Sequence, residues 1–195
     1  MNEYAGTLYK SWTERGKSRF IIAVDGLSRS GKTTLAVELY DHLKEAVNVI
    51  VFHMDDFIEE RSRRYQTGHE QWYEYYQLQW DTEWLRDHFL SELKSADALT
   101  LPVYNPLSDS HILETYNLSE NDIVIVEGVF LQRKEWRSCF DYIVYLDCPR
   151  KVRFSRESKE TRLQIDKFKN RYWKGEDIYL EKEEPLVRAD LVIHG

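Results

Sequence analysis

The chain has 195 residues, 42% of them hydrophobic and 31% charged, a balance that suits one globular domain with a substantial core. Its 34 acidic and 27 basic residues give a formal net charge of −7, and no Lys/Arg cluster is dense enough to line a nucleic-acid groove. Large polyanions are therefore disfavoured as partners, whereas a single nucleotide is not, because the field of one loop can outweigh the global sign.

Residues 1–18 read as an N-terminal extension, and residues 19–195 as a single domain. Met1 to Arg19 lacks the apolar run of a signal peptide, and no uncharged stretch is long enough to span a bilayer. The expectation is a cytoplasmic protein without a membrane partner. Short, uniformly apolar runs follow: Phe20-Ile-Ile-Ala-Val24, Val49-Ile-Val-Phe52, Ile123-Val-Ile-Val126, Tyr142-Ile-Val-Tyr-Leu146 and Leu191-Val-Ile193. Without polar alternation they suit strands covered on both faces, as in a parallel sheet. Between the first two, Leu35, Leu39, Leu43 and Val47 recur every fourth residue and predict a helix with one apolar stripe. Further helices are expected at 82–95 and from Pro149 toward Lys169. Strand–helix alternation implies right-handed crossovers and a three-layer α/β domain.

One stretch departs from that plan. Leu99–Asn105 and His111–Leu118 flank Pro106-Leu-Ser-Asp-Ser110 and predict an antiparallel hairpin, inserted at about residues 97–118. It reads equally as a substrate-side flap or as a surface excursion. Cys139 and Cys148 are too few for a disulfide framework or a four-thiolate metal site. The histidines form no metal-ligand spacing. The aromatic run from Trp72 to Trp80 reads mainly as packing surface, and Arg61-Ser-Arg-Arg64 reads as a solvated loop more readily than as a site for a phosphate-bearing substrate.

Chemistry concentrates in Gly26-Leu-Ser-Arg-Ser-Gly31-Lys32-Thr33, which matches G-x-x-x-x-G-K-[ST] between a strand and a helix. The glycines let successive N–H groups converge on phosphate oxygens, and the helix N-terminus adds its unpaired donors. Gly26, Ser28, Arg29, Ser30, Gly31, Lys32, Thr33 and Thr34 are thus expected to hold ATP. Lys32 reaches the β- and γ-phosphates and Thr33 ligates magnesium; Thr34 fits first-turn packing better than a second ligand. A metal partner is expected at the end of a neighbouring strand, either Glu127 or Asp147. Glu127 is favoured because Gly128 leaves room for close approach. Asp55 and Asp56 follow the second strand, where one can accept the proton of an attacking hydroxyl and the other can cap a helix.

Taken together, these motifs resemble the uridine kinase group of P-loop kinases, which includes nicotinamide riboside kinases and, more distantly, phosphoribulokinase and pantothenate kinase. The likeness runs from Phe20 to the C-terminus. It implies a five-stranded parallel sheet of order 2-3-1-4-5, with a lid at about residues 150–165. By the match of Asp55-Asp56-Phe57-Ile58, Asp55 is the catalytic base. Trp80-Asp81 looks like the aromatic–Asp pair that contacts base and ribose, and Pro102-Val-Tyr104-Asn105 is similar to the family's Pro-x-Tyr-Asp, which makes Tyr104 a substrate contact. Arg188-Ala-Asp190-Leu-Val-Ile193 resembles the closing strand. The lid cations would be Arg156, Lys159 and Arg162, covering the migrating phosphoryl group. Three positions depart from the pattern: Asp109 stands at the hairpin histidine, Asn105 at the aspartate, and Arg156-Glu157 at the lid's Arg-Asp.

The implied activity is transfer of the γ-phosphate of ATP, with magnesium, to a hydroxyl of a nucleoside-like small molecule. The alternatives are a non-nucleoside acceptor such as pantothenate or a sugar phosphate, and a nucleotide-binding protein without kinase activity. A small GTPase is disfavoured, since the chain has no Asn-Lys-x-Asp and no Asp-x-x-Gly switch motif. No nucleic acid is expected as partner, and self-association into a homo-oligomer is left open.

Overall fold

A computed structural model of the chain describes residues 3–195. Five strands, β1 (Phe20–Gly26), β2 (Val49–His53), β5 (Ile123–Gly128), β6 (Tyr142–Asp147) and β7 (Leu191–His194), form one parallel sheet in the order β2-β5-β1-β6-β7. With β3 (Ala98–Asn105) and β4 (Ser110–Asn117) set aside as a separate antiparallel pair, this is the expected order 2-3-1-4-5.

Both faces of the sheet are covered, which explains the unbroken apolar runs. In β1, Ile21 and Ala23 enter one core while Phe20, Ile22 and Val24 enter the other; in β5, Val124 and Val126 oppose Ile123 and Ile125 in the same way. The second core is closed by α2 (Lys32–Leu43), through Leu35, Leu39 and Leu43, and by α1 (Glu3–Glu14), through Ala5, Leu8 and Trp12. Most of the segment expected as a bare extension is thus a helix whose apolar residues recur at helical spacing. Leu8 alone, fully buried, contributes roughly 1.5–3 kcal/mol, and Trp12 Nε1 donates to the Ser18 carbonyl at 2.9 Å to close the turn into β1. Met1 and Asn2 lie outside the described residues.

The first core carries most of the aromatic residues, packed under the helical segments that follow β2 and β6. Two expected helices are less regular than their sequences suggest. The 82–95 stretch passes from an α-turn (Thr82–Leu85) through a π-turn (Arg86–Leu90) into a 3-10 turn (Glu92–Lys94). The segment from Pro149 toward Lys169 breaks into Arg150–Ser155, Lys159–Arg162 and Ile165–Lys167. The first break falls at Ser158, whose hydroxyl accepts from Thr161 N at 3.1 Å and starts a new helix rather than continuing the old one.

Candidate active site

At the carboxyl end of β1 the chain turns sharply into α2. Gly26 sits at φ 155, and a Cβ there would come within 2.8 Å of both the Leu146 carbonyl oxygen and Ser30 Oγ. Gly31, at φ 107, makes the turn into the helix. Side chains from beyond β6 bond to the backbone of this loop. Arg153 and Glu176, both buried, pair through two bonds of 2.9 and 3.0 Å; Arg153 also donates to Ser28 O at 2.9 Å, and Glu176 accepts from Ser28 N at 3.2 Å. Arg156 donates to Arg29 O and Ser30 O at 2.9 and 3.0 Å. Lys32 folds back so that Nζ donates to Leu27 O at 3.1 Å. Burial pushes the Lys32 pKa down, against the pull of Glu127, Asp25, Asp55 and Glu176.

The strand register sets the second part of the site. β2 and β5 run side by side with His53 opposite Glu127, so the ends of both strands face the loop. Thr33 Oγ1 donates to Glu127 Oε1 at 3.1 Å, and His53 Nδ1 lies 2.7 Å from the same oxygen. The Glu127 contact raises the His53 pKa. A Cβ on Gly128 would lie 2.7 Å from Met54 Cβ; that close approach brings the turn carrying Asp55 and Asp56 against the end of β5. Asp147, the alternative metal partner, meets His194 Nδ1 at 3.2 Å and does not line the cavity that joins these parts.

A cavity of about 990 Å³ joins these parts: Ser28 to Thr34, Asp55, Glu127, Arg153 and Arg156 line it, together with Gln79, Tyr75 and Tyr172. Asp55 is open to this cleft, yet the enclosing protein raises its pKa, with Lys32 pulling the other way. Asp56 is not among the lining residues. Ser30 Oγ is buried without a hydrogen-bond partner, an orphan that a phosphate oxygen would satisfy. Hydroxyl and carboxylate, as in Thr33 and Glu127, are the donors a hard divalent cation takes when phosphate and water complete its shell. Among the described residues no group of three or more His, Cys, Asp and Glu side chains could hold a metal by itself.

A protein-family model described as an AAA domain matches residues 22–176, from β1 to the glutamate that clamps the loop. The chain belongs to that family. Its relatives are uridine kinase-like P-loop kinases. The uridine kinase of Clostridium novyi (strain NT) is 28% identical over 162 residues, 78% of this chain and 74% of the relative. A solved structure, a possible uridine kinase from Bacillus stearothermophilus, is 53% identical, covers 90% of this chain and 89% of its own, and superposes with a TM-score of 0.81. D-glycerate 3-kinase from Cryptococcus neoformans, 12% identical with a TM-score of 0.67 over 98% of this chain and 94% of its own, shares the fold alone. The protein is thus a nucleotide-binding P-loop kinase, a transferase that moves phosphate to a hydroxyl.

In this kinase the expected acceptor contacts need correction. Trp80 is 2% exposed, with its ring against Phe130 and Trp136 and its Nε1 donating to Met54 O at 2.8 Å. It is a core residue with no free face for a substrate ring. Asp81 caps the Thr82–Leu85 turn by accepting from Trp84 N at 3.0 Å and lines a separate cavity of about 350 Å³ beside His111. Tyr104 is buried, its hydroxyl donating to Asp109 at 2.8 Å and accepting from Arg64 at 3.1 Å. Of the lid cations Arg156 reaches the loop, whereas neither Lys159 nor Arg162 is among the residues lining the large cavity. Sequence reasoning missed Arg153, Glu176, Tyr75 and Gln79. Nothing local marks the first two, because their pairing spans 23 residues and several bends. No helix among the described residues is long and apolar enough to cross a membrane.

Proposed function

We propose that this kinase transfers the γ-phosphate of ATP, held with magnesium, to a hydroxyl of a ribonucleoside. The observation that carries this reading is that Asp55 opens into the same cavity as Lys32, Thr33 and Glu127. A proton acceptor and a phosphate-gripping loop in one cleft are what direct phosphoryl transfer requires. The nucleoside acceptor is supported by relatives named for uridine.

The roles follow from the residues. Loop amides and the Ser30 hydroxyl take phosphate oxygens, and Lys32 exchanges Leu27 O for the phosphates. Thr33 and Glu127 would hold the metal, which supplies charge neutralisation at the phosphates. Asp55 orients the acceptor hydroxyl and takes its proton. Arg153 and Glu176 keep the loop in shape through Ser28, and Arg156 stands at the loop's rim to cover the transferring group. Such transfer is mostly positioning and charge stabilisation, so a walled cleft matters more than a strong base.

The test is ADP release with magnesium-ATP against uridine, cytidine, pantothenate, D-glycerate and sugar phosphates, for native protein and Asp55→Asn. Uridine- or cytidine-dependent release lost in the variant is the expected result. Release only with a non-nucleoside would overturn the acceptor assignment, and none with any acceptor would overturn ATP-driven transfer.

A further inference from the structure

With Trp80 in the core and Tyr104 engaged elsewhere, the large cavity needs another group to read the acceptor. Gln79 is half-buried and lines it; its Oε1 is shielded from solvent and has no hydrogen-bond partner. Leaving a buried amide oxygen unpaired is unfavourable, and such atoms are rare in folded proteins unless something outside the chain completes them.

The position of Gln79 is fixed relative to Asp55. Its carbonyl oxygen accepts from Glu59 N at 2.9 Å, and the next residue, Trp80, donates to Met54 O at 2.8 Å. These two bonds bracket the 54–59 turn that carries Asp55. Beside Gln79 the cavity wall includes Tyr75, held edge-on by Phe130 and Tyr172 at centroid distances of 5.1 and 5.0 Å. Gly175 makes room for that ring, since a Cβ there would come within 3.0 Å of Tyr75 Cδ1.

We infer that Gln79 is the specificity-determining residue for the acceptor, its carboxamide pairing with the amide-like edge of a pyrimidine base that lies against the Tyr75 wall. A primary amide offers one acceptor and one donor side by side, and in either rotamer it matches the adjacent N–H and C=O of a uracil ring. The aromatic wall supplies the apolar contact that a flat ring needs. This rests on the nucleoside reading above and gives it a base-recognition group different from the expected tryptophan.

Uridine binding is measured by calorimetry with a non-hydrolysable ATP analogue and magnesium present, for native protein, Gln79→Leu and the nearly isosteric Gln79→Glu. Gln79→Leu should weaken uridine by roughly tenfold or more, the loss of one or two buried hydrogen bonds, while the analogue's affinity stays within about twofold and the thermal midpoint is kept. Gln79→Glu, which retains an acceptor but no donor, should also weaken uridine, and it decides the matter should the leucine variant not fold. Native-like uridine affinity in the folded variants overturns the role of Gln79 and leaves the nucleoside reading intact. Absence of uridine binding by the native protein overturns both.

Discussion

Arg153 and Glu176 form a buried, two-bond ion pair that clamps both the N–H and the C=O of Ser28 in the phosphate loop. Removing one partner leaves the other's charge buried and unpaired, a loss of about 3–5 kcal/mol. Glu176→Gln should therefore lower both unfolding stability and ATP affinity. Replacing both residues by apolar groups of similar size should restore much of the stability but not the affinity, because Ser28 loses its clamp either way. Denaturant unfolding and nucleotide titration of the single and double variants check this. Equal recovery of both quantities would show that the pair is structural only.

Lys32 is held on its own loop by the Leu27 carbonyl. Lys32→Ala should reduce phosphoryl transfer by roughly 10²–10³-fold, the range for losing one preorganised electrostatic contact. Circular dichroism and the unfolding midpoint should show the fold retained. Near-native turnover would mean that the loop does not grip the phosphates as assigned.

Asp55 and Asp56 are adjacent, yet only Asp55 lines the large cavity. Asp55→Asn should cut turnover by about 10²-fold or more, as for a lost general base, with little change in affinity for an ATP analogue. Asp56→Asn should be mild. The enclosing protein raises the Asp55 pKa, and the base works only when ionised. The acid limb of kcat/KM should accordingly lie above the ordinary aspartate value and vanish in Asp55→Asn. A mild Asp55→Asn beside a damaging Asp56→Asn would reverse the assignment.

Much of this architecture is legible along the chain because its determinants are local. Apolar runs mark strands covered on both faces, the glycine spacing marks the loop, and acids placed just after strands must lie at one edge of a parallel sheet. Asp55 and Glu127 meet for that reason. Trp80 shows the limit. Its neighbours in sequence suggest a substrate platform, but its fate is decided by Phe130, Trp136 and Met54, which fold over it from other segments. Trp80→Phe should cost about 1 kcal/mol for the lost hydrogen bond, and Trp80→Ala about 3–5 kcal/mol, by denaturant unfolding. A variant with intact stability and impaired uridine affinity would instead return Trp80 to the acceptor site. The helix α1 could have been found: Ala5, Leu8 and Trp12 already carry its apolar stripe.

Asp25 is the penultimate residue of β1 and is fully buried. Its carboxylate accepts from Tyr179 Oη, from Gln132 Nε2 at 3.1 Å and from Leu131 N at 3.3 Å. Burial outweighs these bonds and raises its pKa. Between the ordinary aspartate value, near 4, and the raised one, the folded state therefore binds more protons than the unfolded chain. By linkage, the Asp25 contribution to stability is fully present below that window and falls as pH rises through the raised value. Asp25→Asn cannot titrate and lacks this slope, whatever its absolute stability. Urea unfolding of native and variant protein in steps from about pH 4 to pH 8 isolates the effect, since the remaining groups cancel in the difference. The native-minus-variant stability should decline with pH across the window and then level off. A difference that climbs with pH would mean that the hydrogen bonds from Tyr179, Gln132 and Leu131 outweigh burial, and that Asp25 is held as an anion behind the phosphate loop.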